Sequence, residues 1–177
     1  MCLLPKMIRR AVNDDVNRKE EFCEKLQSTS KINALAQKIY HRRDNGRRKI
    51  VFCHFIAEMA ECIRRIEGMG LLVGVIHGGV RDRKSVLAYD YDVLVVQIQT
   101  ACEGLNLQAY SEVYFTSPHW NPAVEAQAVA RCHRIGQKSE VDVFRFTMES
   151  FDSIDALDAC IKKCQEKKKE LASELGF

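Results

Sequence analysis

The sequence predicts an α/β fold in which a mostly parallel sheet carries helices on both faces. Short apolar segments rich in β-branched residues recur along the chain, as in buried strands, at 49–55, 71–76, 92–100, 111–117 and 141–147. Helical patterns lie between them, at 31–43, 56–70, 81–89 and 121–136. This alternation is typical of strand–helix–strand units, whose crossovers cover both faces of a parallel sheet.

Local signals give the limits of several helices. The "STS" stretch at 28–30 separates a helix over 14–27 from the next one. Asn121 can cap the helix over 121–136, Pro122 suits its first position, and Gly136 can end it.

The chain divides into three parts. We expect a helical extension over 1–28, one α/β domain over 29–150 and a C-terminal helix over 151–177. The helical pattern of the last part runs from Ser153 to Leu175. Its apolar stripe is expected to be buried and consists of Ile154, Leu157, Ile161 and Cys164. A solvated helix with a basic end is an equally open interpretation of the same segment.

The composition indicates a soluble globular protein, with 177 residues of which 46% are hydrophobic and 29% charged. The eight cysteines form no C-x-x-C pair, so we expect reduced thiols, an intracellular location and no bound metal. No apolar run is long enough to span a membrane, and we expect no membrane partner. The net charge of +3 does not by itself indicate nucleic-acid binding. The basic cluster over 42–49 is interpreted as a solvated loop.

Polar, glycine-bearing loops follow three of the predicted strands. They are "HGG" (77–79), "QTACEGLNL" (99–107) and "SPHWNP" (117–122). Ligands of open α/β sheets bind outside the carboxyl ends of the strands, so one edge of the sheet is the candidate site.

The helix after the third loop carries a polar stripe within "QAVARCHRIGQK" (127–138). Gln127, Arg131 and Arg134 are spaced i, i+4 and i+7, which places them on one helix face. Two arginines one turn apart can grip a polyanion, or the charge that develops on a phosphoryl group. The spacing alone favours the alternative interpretation, a pair of surface salt bridges.

Several stretches resemble motifs of a known family. "EAQAVARCHRIGQ" (125–137) resembles the sixth motif of the SWI/SNF-type branch of superfamily-two helicase-like ATPases. Further stretches resemble other motifs in the family's order: "KIVFCHF" (49–55), "VIHGGVRDRK" (75–84), "EGLNLQ" (103–108) and "SPHWNP" (117–122). The likeness covers only the second of the family's two lobes. It implies a three-layer, RecA-like (P-loop NTPase-type) helicase C-terminal lobe and a place among chromatin-remodelling proteins.

The resemblance implies roles for residues around the nucleotide. Arg131 and Arg134 would be arginine fingers that reach ATP with Mg²⁺, held mainly on a first RecA-like lobe in cis or in trans. Gln127 would support the phosphate end of that site. Gly104 and Asn106 would link the nucleotide site to DNA.

We also expect contacts with duplex DNA, from His54, Gly78, Gly79, Arg83, Thr100 and Trp120. By the resemblance, Gly78 and Gly79 would let the backbone approach a phosphate closely, and Trp120 would touch the DNA backbone or minor groove. Thr100 stands where the family opens its fifth motif with Ala-Gly-Gly and could contribute a hydroxyl instead. For His54, a histidine satisfied within the fold is an open alternative.

The chain lacks half of an ATPase site. It contains no G-x-x-x-x-G-K-[ST] stretch and no Asp-Glu pair at the end of an apolar strand, so we expect it to be inactive alone. Two functions follow: the second lobe of a DNA-dependent ATPase, in the nucleus or at a site of DNA transactions, or a stand-alone, non-catalytic module that binds DNA or docks on a helicase. A nucleotide-binding domain of another family would need a glycine-rich turn after the first strand, and "CHFIAEMAE" offers none.

Overall fold

Five apolar segments of the chain pair into one parallel sheet with helices on both faces. The structure is a computed structural model that describes residues 30–101, 104–148 and 157–174. The helix predicted over 14–27 and the extension predicted over 1–28 lie outside the described residues. The described elements run in the order α1 (Lys31–His41), β1 (Lys49–Cys53), α2 (Ile56–Gly68), β2 (Val73–Ile76), α3 (Arg83–Ala88), β3 (Val93–Gln97), α4 (Ile98–Ala101), β4 (Glu112–Phe115), α5 (Pro122–Cys132), β5 (Asp142–Arg145) and α6 (Leu157–Glu174).

Strand β1 lies at the centre of the sheet, whose strand order is β2-β3-β1-β4-β5. All neighbouring strands are parallel, and Val51 of β1 pairs with Val95 of β3 on one side and Tyr114 of β4 on the other. Every residue of β1 is buried, as expected for a strand whose sheet is covered on both faces. The predicted α/β class is therefore confirmed.

Successive residues of β1 face two different helical layers. Phe52 belongs to the core on one face, where Ala128 of α5 packs. Val51 belongs to the core on the other face, where Leu35 of α1 and Met59 of α2 pack. The alternation of a strand thus accounts for the three layers.

Helix α5 begins as predicted but ends earlier. Its first turn is capped by the side chain of Asn121. The helix ends at Cys132, and Gly136 adopts a φ of +102° in the turn beyond it. The prediction that the helix extends to Gly136 is wrong, and Arg134 lies outside the helix.

The third strand is also shorter than predicted. Strand β3 ends at Gln97, which pairs with Cys53, the last residue of the central strand. Because the neighbouring strand offers no further partner, the chain turns into the short helix α4, and Ile98 is buried in the core. The strand predicted over 92–100 is therefore wrong beyond Gln97, and Thr100 lies on a helical turn.

Helix α6 buries Ile161 as predicted, but the rest of its buried face differs from the prediction. Leu157 is 66% exposed and Cys164 is exposed, whereas Ile161 and Asp158 are each only 4% exposed. The Asp158 carboxylate sets this face because it accepts hydrogen bonds from Lys31 Nζ and the Met148 N–H, both at 2.7 Å. Residue 154 lies outside the described residues.

The edge of the sheet at the amino ends of the strands holds a network of charges. The Glu112 carboxylate is fully buried and accepts hydrogen bonds from Arg42 Nε at 2.8 Å and Asn45 Nδ2 at 2.6 Å. Arg42 and Arg47 both pair with Asp142, at 2.7 and 2.6 Å. The interpretation of 42–49 as a solvated loop is therefore wrong, because its acidic partners arrive from β4 and β5.

Glu112 remains charged in this network. Burial acts to raise the pKa of Glu112, but hydrogen bonds from Arg42, Tyr114 and Asn45 outweigh burial, so the pKa lies below its ordinary value. A carboxyl whose pKa is lowered by folding stabilises the fold above its unfolded pKa of about 4.3. We expect this contribution to persist at neutral pH and to be lost as the pH falls below about 4 toward the folded pKa.

Substitution of this carboxylate should destabilise the fold strongly. Glu112→Gln is expected to lower the free energy of unfolding by about 3 kcal/mol, because it removes the carboxylate that lies 3.7 Å from the ammonium group of Lys49, a residue only 2% exposed. The same substitution at Glu61, a surface carboxylate paired with Arg64 and 33% exposed, should cost ~0–1 kcal/mol. Urea denaturation near neutral pH compares the two variants, and equal losses would contradict a structural role for the network.

Candidate functional site

The predicted site loops meet at one edge of the sheet. Because all five strands are parallel, the segments that follow them emerge at the same edge. The turn with Gly78 and Gly79 follows β2, α4 follows β3, His54 follows β1, and the loop with Trp120 follows β4. The fold therefore gathers residues that are far apart in sequence.

An open cavity brings together the three residues of the predicted polar stripe. Gln127, Arg131 and Arg134 line it together with Ala130, and its volume is about 300 Å³. Arg131 is half-buried, whereas Gln127 and Arg134 are exposed. The three residues do not share one helix face, because Arg134 reaches the cavity from the turn beyond α5. Two guanidinium groups and an amide suit an oxygen-rich anion.

A second open cavity adjoins the first, because Arg134 lines both. Its volume is about 490 Å³, and it is lined by Asn106, Gln108, His133, Arg134 and Ile135. Gly104 begins the segment that leads into this cavity and has a φ of +87°, a backbone conformation that glycine adopts readily. The structure thus brings Asn106 to Arg134, two residues that sequence patterns assigned to separate motifs.

Two glutamines that sequence patterns did not single out hold the turn that carries Arg134. Gln108 Nε2 donates a hydrogen bond to the Ile135 carbonyl, and Gln137 Nε2 donates to the Gln108 carbonyl at 2.7 Å. The Ile135 side chain between them is fully exposed. The sequence held a usable signal for this exposed side chain, because Ile135 lies between an arginine and a glycine in a polar turn. The sequence held no signal for the hydrogen bonds of Gln108 and Gln137, because they join segments that are distant along the chain.

The glycine turn after β2 is exposed at both glycines. The Gly78 N–H donates to Gln97 Oε1 at 3.2 Å, and the Gly79 N–H donates to His77 Nδ1 at 3.1 Å. A phosphate bound by these amides would have to replace the two side-chain acceptors. A Cβ at Gly78 would meet only Gln97 Oε1, at 3.9 Å, so the fold itself leaves room for a side chain there.

The loop after β4 presents Trp120, whose side chain is 50% exposed. His54 lies beside this loop: its Nε2 is 3.0 Å from the Ser117 carbonyl oxygen, and its ring stacks on that of His119 at 5.3 Å. His54 is therefore satisfied within the fold, which is the alternative that the sequence left open, and its contact with DNA stays a prediction.

Two other predicted DNA contacts differ in accessibility. Thr100 is buried with 2% exposure, so the residue whose hydroxyl was predicted to replace the family's glycines offers very little surface to a ligand in this structure. The cause is the early end of β3, which turns Thr100 into α4. Arg83 is half-buried at the start of α3, and its Nε donates to the Val80 carbonyl at 3.2 Å.

Other chemistries find little support in the described residues. Burial raises the pKa of Cys132 to about 12, so its thiol stays protonated near neutral pH and is a poor nucleophile. Across 30–101, 104–148 and 157–174, no group of three or more His, Cys, Asp or Glu side chains is arranged to hold a metal ion. Within the same ranges, no helix combines the length and the apolar character that crossing a membrane requires.

Comparison with protein-family models identifies the family of the chain. The model of the helicase conserved C-terminal domain matches residues 30–136. The chain belongs to this family. Its match includes the glycine turn, the Trp120 loop and both arginines of the cavity.

Relatives place the chain in the SWI/SNF-type branch of the helicase C-terminal domains. The helicase-like transcription factor of Homo sapiens is 29% identical over 157 residues, which are 82% of this chain and 15% of that protein. The SWI/SNF-related matrix-associated actin-dependent regulator of chromatin subfamily A member 3-like 1 of Arabidopsis thaliana is 43% identical over 82 residues, or 46% of this chain and 9% of that protein. The predicted identity as a SWI/SNF-type C-terminal lobe is confirmed. The chain spans 15% or less of the length of these two relatives.

A solved structure confirms the predicted RecA-like architecture. The crystal structure of the C-terminal part of the Fun30 ATPase domain is similar with a TM-score of 0.63. The match covers 84% of this chain and 55% of that chain, at 17% sequence identity. At this identity, the likeness concerns the fold of the helicase C-terminal domain alone.

The turn that holds Arg134 should depend on Gly136. Gly136→Ala is expected to lower the free energy of unfolding by roughly 1–2 kcal/mol, because a left-handed φ strains an L side chain. The new Cβ would also lie 3.4 Å from Gln108 Nε2. Gly78→Ala is the control, since Gly78 lies outside the left-handed region and should change stability by less than ~0.5 kcal/mol. Urea denaturation tests both, and equal stabilities would contradict the strained turn.

Proposed function

We propose that this helicase C-terminal lobe supplies Arg131 and Arg134 as arginine fingers to ATP bound on a first RecA-like lobe, and that its loop edge contacts duplex DNA. One observation carries the proposal: both arginines and Gln127 line a single open cavity. Positive charge and amide donors that converge on one space suit the phosphoryl oxygens of a nucleotide.

The residues fit one side of a nucleotide site. Each guanidinium can donate paired hydrogen bonds to phosphoryl oxygens, and Gln127 adds an amide at the rim of the cavity. The printed sequence has no phosphate-binding loop of the G-x-x-x-x-G-K-[ST] type, so the nucleotide would be held mainly by a first lobe, in cis or in trans. ATP with Mg²⁺ would supply the phosphoryl group whose transfer to water provides the energy for movement.

The division between two lobes separates binding from hydrolysis. Arg131 and Arg134 would stabilise negative charge on the phosphoryl oxygens only when the lobes close. Half-burial of Arg131 limits the conformations of its side chain before closure, whereas exposed Arg134 stands on a turn held by Gln108 and Gln137. Closure would complete the site, and opening after hydrolysis would release it.

Duplex DNA is the second proposed ligand. The names of the two relatives, a helicase-like transcription factor and a regulator of chromatin, support a nuclear, DNA-directed role for this chain. On the lobe itself, the glycine turn and Trp120 are exposed at the same edge of the sheet. We propose that they contact the DNA backbone, since movement along DNA of any sequence requires contacts that do not read bases.

Removal of one finger should abolish hydrolysis and spare ATP binding. In the assembly that contains the first lobe, Arg131→Ala is expected to lower the DNA-stimulated ATPase rate by about 10³-fold, because it removes charge stabilisation from the transition state. The ATP dissociation constant should change little, because the first lobe holds most of the nucleotide. Arg64→Ala is the matched control: Arg64 lies on the surface of α2, with its side chain 67% exposed.

Steady-state ATPase assays and nucleotide-binding titrations measure the two effects. A near-normal rate of ATP hydrolysis by Arg131→Ala would contradict the arginine-finger role. The exposure of the glycine turn and of Trp120, which needs no first lobe, supports a second candidate function, a non-catalytic module that binds DNA or docks on a helicase. Salt-sensitive duplex binding by this chain, with no stimulation of hydrolysis in any first lobe, would favour that module.

The glycine turn offers a test of DNA contact that is independent of folding. Gly78→Ala should weaken duplex binding by about 5-fold, the equivalent of one lost hydrogen bond, because its methyl group holds a phosphate away from the backbone. Gly68→Ala, at the last residue of α2, is the control and should leave affinity unchanged. Fluorescence anisotropy of a labelled duplex measures both. Equal affinities would contradict backbone contact at this turn.

A further inference from the structure

Side chains of α6 bind the backbone of the loop that carries Trp120. Gln165 Nε2 donates a hydrogen bond to the His119 carbonyl, and Lys168 Nζ donates to the Trp120 carbonyl at 3.0 Å. Two successive carbonyls of the loop are therefore held by residues one turn apart on the helix.

A buried carboxylate strengthens this connection from the opposite side. Glu125 of α5 is 5% exposed, and its carboxylate accepts hydrogen bonds from the His119 N–H at 2.8 Å, Arg145 Nε at 2.9 Å and Gln165 Nε2 at 3.2 Å. Glu125 thus joins the loop, β5 and α6 to α5. Burial acts to raise the pKa of Glu125, but these three hydrogen bonds outweigh burial and lower the pKa, so the group stays charged.

The same loop is also held at its beginning. Lys31 Nζ of α1 donates to Ser117 Oγ and to Asp158 Oδ2, both at 2.7 Å. Asp158 lies in the first turn of α6 and is 4% exposed. Helix α6 therefore holds the loop at two places: indirectly at Ser117, through Lys31, and directly at the His119 and Trp120 carbonyls, through Gln165 and Lys168.

These contacts hold the backbone and leave the indole accessible. The hydrogen bonds from α6 end on carbonyl oxygens of the loop, while the Trp120 side chain is 50% exposed. An aromatic side chain on a fixed backbone binds with a smaller loss of conformational entropy than one on a free loop. The arrangement thus prepares Trp120 for contact without covering it.

We infer that α6 is an intramolecular clamp that positions Trp120 for contact with duplex DNA, with Gln165 and Lys168 as its positioning residues. The DNA part of this inference rests on the proposed function, whereas the clamp itself rests on the hydrogen bonds. Helix α6, which exposes Lys167 and Lys168, would then serve the DNA-facing edge without being required to contact DNA itself.

Trp120 is the only tryptophan of the chain, so its fluorescence reports on the loop directly. The test compares Gln165→Ala and Lys168→Ala with Lys167→Ala in the 177-residue chain. Lys167 is exposed on the same helix, so its substitution removes the same charge. Alanine preserves the helix in all three variants. Acrylamide quenching of Trp120 in the free chain and anisotropy of a labelled duplex are the two measurements.

The clamp predicts more efficient quenching of Trp120 in Gln165→Ala and Lys168→Ala than in the parent chain or Lys167→Ala. It also predicts a loss of duplex affinity of about 3- to 10-fold in those two variants, the size expected from one lost side-chain hydrogen bond. Lys167→Ala should lose affinity only through its charge, with no change in quenching. Lys168→Ala changes an exposed residue and keeps the test available if Gln165→Ala fails to fold.

Other outcomes separate the clamp from the proposed function. Unchanged quenching in both variants would overturn the clamp whatever happens to DNA binding. More efficient quenching with unchanged affinity would overturn its role in DNA binding. If the parent chain and every variant fail to bind the duplex, the proposed DNA contact is contradicted, and the quenching still decides whether α6 holds the loop.

Discussion

Parallel pairing of the strands is the constraint on which the rest of the structure depends. Strand β1 pairs in register with both β3 and β4, so Ile50 lies between Leu94 and Val113 in the middle of the sheet. A parallel sheet needs a crossover after each strand, and the crossovers cover both faces with helices. All loops at the carboxyl ends must then share one edge, and all loops at the amino ends must share the other.

The two edges use arginine for different purposes. At the amino edge, Arg42 and Arg47 form ion pairs with Glu112 and Asp142, so their charge stabilises the fold. At the carboxyl edge, Arg131 and Arg134 line an open cavity. A basic cluster in the sequence is compatible with either arrangement, because the sequence does not show that the acidic partners of Arg42 and Arg47 arrive from β4 and β5. The net charge of the chain carries no such information.

Sequence patterns predicted the elements that depend on neighbouring residues along the chain. The central strands are runs of β-branched residues, and α5 starts where an Asn-Pro pair follows a strand, so both could be predicted. The loop edge followed from the parallel topology, and the roles of residues on it came from the family resemblance. The buried face of α6 could not be predicted from its apolar stripe, because Asp158 pairs with Lys31, which lies 127 residues away. The end of α5 was missed for the same reason, since the turn after it is held by Gln108 from a distant segment.

Helix α5 physically connects the two halves of the candidate site. Glu125 lies in its first turn and holds the Trp120 loop, whereas Arg131 lies in its last turn and lines the cavity. The two residues are six positions apart on the helix, which corresponds to about 9 Å along its axis. Ala128 and Cys132 of the same helix are fully buried against the sheet, so α5 cannot shift at one end without disturbing its packing at the other. A displacement of the Trp120 loop would therefore act on the arginine cavity through one short, packed helix, and the proposed DNA contact and the proposed nucleotide contact could be coupled along it.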